Sequence, residues 1–372
     1  MAMPKITFNN SNNAFFQSVK RSVDNYFRSK NLKKTGNWKL YLKTGILIPC
    51  ALGLYIYLLS DHYTGVAGIL ASVFLGLTLV CIAFNVMHDA CHGSYSEKKW
   101  INSVMGLTMN ALGSNAFIWK IKHNIIHHTF TNIDGIDDDI ANGPLLRQCT
   151  NQKWMPMHRF QFLYMFFLYS LSTLSWMLRT DFRWYFTRKI NNTRINKIDP
   201  GQHVLFWTSK LLYAFFYIAV PIYFLGWQPW LTGFLIIHFT MGLTLTVVFQ
   251  LAHMVEKTTF VIAEETSKVI DYEWAIHEIK TTANFATENR IISWLVGGLN
   301  FQIEHHLFPQ ISHVHYFALS KIVRQKCELF GLPYNDYPTV GQAIYSHVRL
   351  MRKLGNRNQE IKKATSSLVA SQ

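Results

Sequence analysis

Residues 63–92 read YTGVAGILASVFLGLTLVCIAFNVMHDACH. No residue from Tyr63 to Met87 carries a charge, and the run exceeds the roughly 20 apolar residues that take a helix across a bilayer. It ends on His88 and His92, four positions apart and so about one helical turn apart on one face. A membrane span that delivers two imidazoles at its end sets the class to be tested along the rest of the chain.

Outward from this segment the pattern repeats. Uncharged runs from Thr44 to Ser60, Leu205 to Leu225 and Trp230 to Ala252 are also long enough to span. Charged residues make up only 15% of the 372 and aromatic residues another 15%, which excludes an ordinary soluble globule. Two further apolar runs, Ile101 to Ile118 and Phe160 to Leu178, need the charge distribution to place them.

The net charge of +15 is concentrated. Lys20, Arg21, Arg28, Lys30, Lys33, Lys34, Lys39 and Lys43 precede or open the first apolar run, and such clusters mark the cytoplasmic side. A second cluster, Arg179, Arg183, Arg188, Lys189, Arg194 and Lys197, follows the Phe160 run. With both clusters inside, the runs at 101–118 and 160–178 must dip into the bilayer or lie flat on it. Both termini are then cytoplasmic. The outer connections, Asp61 with His62 and Gly226 to Pro229, carry no Lys or Arg.

Three parts are expected: a basic cytoplasmic N-terminal arm over 1–43, a membrane domain over 44–345 and a mobile C-terminal tail over 346–372. The fold class is all-α and integral to the membrane. It has four transmembrane helices, membrane-surface or re-entrant helices, and a cytoplasmic helical cap. The N-terminus shows no cleavable signal pattern. Five scattered cysteines without CxxC spacing suggest neither a disulfide framework nor a zinc site.

Sixteen histidines are present, and eight form four groups: His88 with His92; His123, His127 and His128; His253; and His305 with His306. Chance supplies about one HxxxH and about one HH in such a chain, but only about 0.03 HxxxHH triplets, so their coincidence is informative. In a regular helix His123 and His127 share a face and His128 lies about 100° around it, within reach of a second ion. Eight neutral imidazoles exceed the ligand set of one zinc and suit two iron ions with positions left for oxygen. The charge-derived topology puts all four groups on one membrane face.

Among the other polar residues, Asp89 is a candidate to hydrogen-bond a ligand ring. Asp137, Asp138 and Asp139 read as a turn with exposed charges and are kept out of the metal set. His238, about 22 Å along a helix from His253, is assigned a packing hydrogen bond. His277, His313 and His315 are read as non-ligands in the cap, and His62, His158, His203 and His347 as ordinary residues.

HDACH at 88–92, HNIIHH at 123–128 and QIEHH at 302–306 resemble, in order and spacing, the three histidine boxes of the membrane fatty acid desaturases. The resemblance covers about Thr44 to Tyr345. Gln302, where many relatives carry histidine, together with FNVMHDACHGSY and EHHLFPQISHVHY, resembles the front-end desaturases, which act between an existing double bond and the carboxyl end.

The resemblance implies a di-iron centre, O2 as co-substrate and a long acyl substrate linked to coenzyme A or to a phospholipid. No HPGG haem motif of a fused cytochrome b5 domain occurs in the sequence. The implied electron donor is therefore separate, a cytochrome b5 or a ferredoxin with its reductase. The resemblance also implies that His253 completes the ligand set and that Gln302 orients a water or touches iron. The superfamily's metal-assisting Asn, one turn before His253, is replaced by Phe249, with Gln250 a candidate to compensate.

Two other readings stand beside this one. A related acyl or lipid hydroxylase would use the same cluster, and a metal transporter would place its site near the bilayer midplane. Nucleic acid is not among the expected partners.

Overall fold

The structure is a computed structural model describing residues 6–357 except 63, 141–142, 192, 196 and 263–268. Tyr63 and the tail beyond residue 357 therefore lie outside the described residues. Among the described residues four helices are long and apolar enough to cross a membrane: α2 (Trp38–Leu59), α3 (Gly65–Cys91), α8 (Pro200–Leu225) and α9 (Trp227–His253). Before and between them run α1 (Ala14–Ser29), α4 (Lys99–Gly106), α5 (Ala116–Lys120), α6 (Gln161–Ser170) and α7 (Asp181–Thr187). After α9 come α10 (Trp274–Thr281), α11 (Gln302–Leu307), α12 (Tyr316–Leu329) and α13 (Val340–Leu354). Among the described residues the only strands are two-residue bridges, such as Thr7–Phe8 paired in parallel with Val269–Ile270.

The four spans match the four apolar runs, but α2 and α8 begin well before hydropathy suggests. α2 starts at Trp38 because the Asn37 side chain accepts the free backbone N–H of Lys39 at 3.0 Å. The helix thus includes Lys43, whose ammonium is buried on Asn85 Oδ1 (2.8 Å) and His313 Nε2 (3.1 Å). α8 starts at Pro200, whose missing N–H costs nothing in the first turn. Charge marks the edge of hydrocarbon, whereas caps mark the end of a helix.

α3 is the central span. Half of its most apolar stretch is buried inside the protein, against 17% for α2. Leu75, Leu79 and Val86 pack with Met241 and Val248 of α9 and Leu47 of α2. Lipid-facing positions such as Ile56, Phe74 and Leu211 are left uncovered, as expected when the solvent is hydrocarbon.

α9 also meets α6 closely. A Cβ added to Gly242 would stand 2.4 Å from the Ser170 carbonyl oxygen, so only glycine lets the two backbones touch.

Neither ambiguous run forms a helix long enough to cross. The 101–118 stretch breaks at Gly113 and restarts where Asn115 caps α5. The 160–178 stretch ends its first helix at Ser170, breaks at Leu171 and continues through a short α-helical segment at Ser172–Ser175 and a π turn at Trp176–Thr180. Both expose large apolar side chains on one side, Trp100 and Val104 in α4 and Leu163 and Phe167 in α6, while Met165 and Tyr169 are buried on the other. That asymmetry suits helices lying along a bilayer surface.

The cap packs on the ends of the spans. α1, α10, α11 and α12 share a core of Phe15, Val19, Ile279, Phe301, Leu319 and Val323, so the 1–43 stretch contains a docked helix. A helix also crosses the expected boundary at 346. α13 runs through it to Leu354, with His347, Met351 and Leu354 buried. The basic residues of this stretch occupy only the outer face of an amphipathic helix.

His347 fastens that helix: its Nδ1 lies 2.6 Å from the Met254 carbonyl and its Nε2 3.0 Å from the Tyr169 hydroxyl. Burial pulls its pKa down to about 4, so the folded protein keeps the ring neutral while the unfolded chain protonates near 6.5. Its contribution is therefore complete above pH 6.5 and is lost progressively as pH falls toward 4. The expected loss is on the order of 3 kcal/mol. Thermal unfolding of wild type and His347→Gln as a function of pH checks this. The wild-type advantage should be largest near neutrality and shrink on acidification.

Candidate metal centre

Both multi-histidine boxes of the first half sit at π turns rather than in regular α-helix. α3 widens to i→i+5 bonding over Ala83–Met87 just before His88, and α5 continues as a π turn over Ile121–His127. The backbone N–H of His128 accordingly donates to the carbonyl of His123, five residues back, at 3.1 Å. The consequence differs from the α-helical expectation. His128 is brought beside His123, their Nε2 atoms 3.3 Å apart, instead of 100° away. π turns recur at functional sites because they re-aim side chains without ending the helix.

All eight histidines converge, and all are buried. The donor nitrogens of His88, His92, His123 and His305 lie within 4.8 Å of one another, and so do those of His127, His253 and His306. His128 stands between the two sets, its ring centre 4.6 Å from His305 and 4.3 Å from His306. Two adjacent ligand sets sharing a central ring are what two neighbouring metal ions require. Because the sets draw on the ends of α3 and α9, they lie at one end of the spans and not at mid-membrane.

In three of the rings the outer nitrogen is held so that the inner one is free. His306 Nδ1 donates to Glu278 at 2.8 Å, His127 Nδ1 to Asp137 at 3.1 Å, and His305 Nδ1 is 3.0 Å from the Tyr316 hydroxyl. Their Nε2 atoms have no hydrogen-bond partner, nor do Nε2 of His92, Nδ1 of His128 and either ring nitrogen of His253. A buried polar atom without a partner costs about 1–3 kcal/mol, so this many in one place fits a metal centre and no ordinary core.

The electrostatics agree. Burial first, and the neighbouring rings second, push His92, His123, His128, His305 and His306 well below the usual imidazole range, leaving neutral rings able to ligate. Burial alone would raise Asp137, but His127 and the N–H groups of Asn132 and Asp139 bring its pKa below the usual carboxylate range. Burial pushes Glu278 well above its ordinary range, a shift that a cation on the far side of His306 would offset.

Several expected roles change. Asp89 does not face a ligand ring; it meets His313 Nδ1 at 3.0 Å and accepts from Ser312 Oγ at 2.5 Å, tying the first box to the loop after the third. Asp137 is not an exposed turn residue but 1% exposed beneath His127. Lys122 pairs with Asp139, which lies 3.5 Å from His127.

Gln250 is turned to Gln148, with Oε1 accepting at 3.3 Å, while the Phe249 ring packs on His127 and His253 at 5.2 and 4.7 Å. Gln302 is buried, donates to the Leu299 carbonyl and approaches the His253 ring. His238 sits between Tyr213 (2.8 Å) and Thr173 (3.1 Å), a packing role. His277 bonds the Thr131 carbonyl and His315 the Thr35 carbonyl, outside the cluster.

The sequence reading missed Glu278, Tyr316, Thr131 and Trp119. Glu278 is also held by Thr131 Oγ1 at 2.9 Å, and the Trp119 ring stacks on His123 at 4.3 Å. Glu278 lies in no box, and only folding reveals it. Tyr316 closes the quoted stretch EHHLFPQISHVHY and was legible there as a neighbour of the third box.

A weakened hold on His306 should show directly. Glu278→Ala is expected to reduce metal affinity about 10- to 100-fold, the usual cost of removing a ligand's carboxylate partner. Metal content after dialysis against graded chelator measures it; unchanged retention would assign Glu278 to packing alone.

Comparison with known proteins is consistent with this geometry. The family profile described as "Fatty acid desaturase" matches residues 64–338. The chain is 35% identical over 343 residues to an sn-1 linoleoyl-lipid 6-desaturase of Synechocystis sp., covering 92% of this chain and 95% of that one. It is 32% identical to the protein of the same name from Arthrospira platensis, covering 94% and 95%. It is 30% identical to an acyl-lipid (8-3)-desaturase of Physcomitrium patens, covering 92% and 72%. With its four spans and its converged histidine boxes, this chain is an integral-membrane oxidoreductase that belongs to the fatty acid desaturase family.

Proposed function

We propose that the protein introduces a cis double bond into a lipid-linked, already unsaturated long acyl chain, between the existing unsaturation and the carboxyl end. The proposed centre holds two iron ions on the cytoplasmic face. The observation that carries the reading is the convergence of eight buried rings, seven in two sets and His128 between them, with ring nitrogens of His92, His127, His128, His253, His305 and His306 unpartnered. The third box with Gln302, and the acyl-lipid substrates in the relatives' names, support the front-end, lipid-linked form. The basic clusters at the same end of the spans support the cytoplasmic side.

His88, His92, His123 and His305 would hold one ion, His127, His253 and His306 the other, and His128 lies between them. Iron bound there would supply, from O2 and two electrons of an external carrier, the oxidant that unactivated methylenes demand and side chains lack. In the overall reaction two hydrogens leave the chain, and these, with two protons and two electrons, reduce O2 to two waters. The protein's own part is placement. Asp137, Glu278 and Tyr316 fix which ring nitrogen faces inward, while Trp119 and Phe249 wall the cluster with apolar rings that exclude water.

Expression in a host supplied with defined fatty acids, followed by lipid mass analysis, tests the reading. The expected product has lost two hydrogens, with the new bond on the carboxyl side of the old one. Gain of one oxygen would instead establish the hydroxylase reaction. A new bond on the methyl side would remove the front-end assignment.

A further inference from the structure

We propose that the exposed face of α1, together with the edge of Trp274 beside it, is the docking and electron-entry surface for an acidic one-electron carrier protein. This rests on the di-iron reading above and adds to it the place where reducing equivalents arrive.

The first observation is charge. Lys20, Arg21 and Arg28 of α1, and Lys30 at its C-terminal cap, are exposed to solvent and have no acidic partner among the described residues. The acids nearby in sequence and space are already engaged, Asp24 with Lys34 at 2.7 Å and Glu97 with Lys33 at 2.5 Å. Asp271 and Glu328 are the exposed exceptions on the neighbouring elements. Unpaired cations on one face attract an acidic partner and speed its encounter.

The second observation separates a protein partner from lipid. Helices that lie along the bilayer surface expose large apolar side chains, as Trp100, Leu163 and Phe167 do. α1 exposes none, and its apolar residues Phe15, Val19, Val23 and Phe27 all face inward onto the cap. The α1 face is therefore turned to water.

The third observation is a short covalent and hydrogen-bonded path. Half-buried Trp274 donates its indole N–H to the backbone carbonyl of His128 at 3.0 Å, and His128 is the ring between the two ligand sets. The Trp274 ring meets Phe16 of α1 edge-on at 5.5 Å. A carrier seated on α1 thus faces an aromatic side chain bonded directly to the backbone of the central histidine. In each encounter the carrier would be oxidised by one electron, which the ions held by the histidines would take up.

The test uses the full, iron-loaded protein in nanodiscs, with a [2Fe–2S] ferredoxin and a soluble cytochrome b5 haem domain as probes. Stopped-flow absorbance follows carrier oxidation. The combined variant Lys20→Glu, Arg21→Glu, Arg28→Glu is expected to lower the second-order rate at least about tenfold at low ionic strength. The difference should vanish near about 1 M salt. The same reversal at Arg179, Arg183 and Arg188 should leave that rate unchanged. Trp274→Leu should slow the first-order transfer step, read at saturating carrier, about tenfold, with Trp274→Phe between the two.

Iron content and reduction by dithionite, unchanged in all variants, keep this separate from the di-iron reading. Loss of both in the wild type would overturn that reading instead. Equal rates for wild type and the α1 variant, or an effect seen only when anionic lipid is present, overturn the docking surface. Loss of iron in Trp274→Leu overturns the entry route.

Discussion

If the proposed centre holds two ions, replacement of His253 by alanine is expected to reduce bound metal from two per chain to one and to lower desaturation at least about a thousandfold. His253 has both ring nitrogens unpartnered and shares its set only with His127 and His306. Removal leaves two rings of that set and the shared His128, a weaker hold on a labile ion than the larger set keeps after losing one. The contrasting substitution is His88→Ala, taken from a set of four, which leaves three ligands and is expected to retain more of its metal while still losing turnover. Elemental analysis beside product quantification reads both. Two ions with full activity in His253→Ala would remove this ring from the centre, and with it the division of the rings into two sets.

The contrast depends on contacts that sequence spacing only partly foretells. HxxxHH announced that His123, His127 and His128 act together, but not how. The helical rule put His128 on a different face, and the i→i+5 turn at 121–127 brings it to within 3.3 Å of His123 instead. Nothing local in IKHNIIHH marks a π turn, because its cost is met by ring convergence with segments more than a hundred residues away. The four spans were legible because apolar composition over some 20 residues is a local property. Glu278 and Asp137 were not. A carboxylate reads as exposed charge until the fold buries it against a histidine, as Glu278 is buried 28 residues before His306. The 346–354 stretch failed for a related reason, since Arg349, Arg352 and Lys353 hid the buried positions His347, Met351 and Leu354 between them.

Substitution of Lys210 by methionine should be among the most destabilising changes that leave every histidine in place. Lys210 rises from α8 with its ammonium 2.7 Å from Asp181 and 2.6 Å from the Gly113 carbonyl, beside the rings of Phe182 and Phe206. Asp181 is fully buried, and its other oxygen accepts the Trp176 indole N–H at 2.8 Å. Methionine fills the same volume but leaves the carboxylate without a cation, a loss of about 3–5 kcal/mol when one partner of a buried pair is removed. Adding Asp181→Asn should recover much of that loss, because the amide needs no counter-charge and still accepts from Trp176.

Thermal unfolding of both variants in one detergent measures the difference; equal destabilisation would mean that packing, not charge, holds this joint. The effect should also reach the metal centre. The Trp176 ring lies 4.6 Å from the Lys122 ammonium, and Lys122 pairs with Asp139 beside His127. A joint between a span and the surface helices thereby helps set the position of a ligand. Activity in Lys210→Met should fall further than the folded fraction alone accounts for, and the double variant should restore both together.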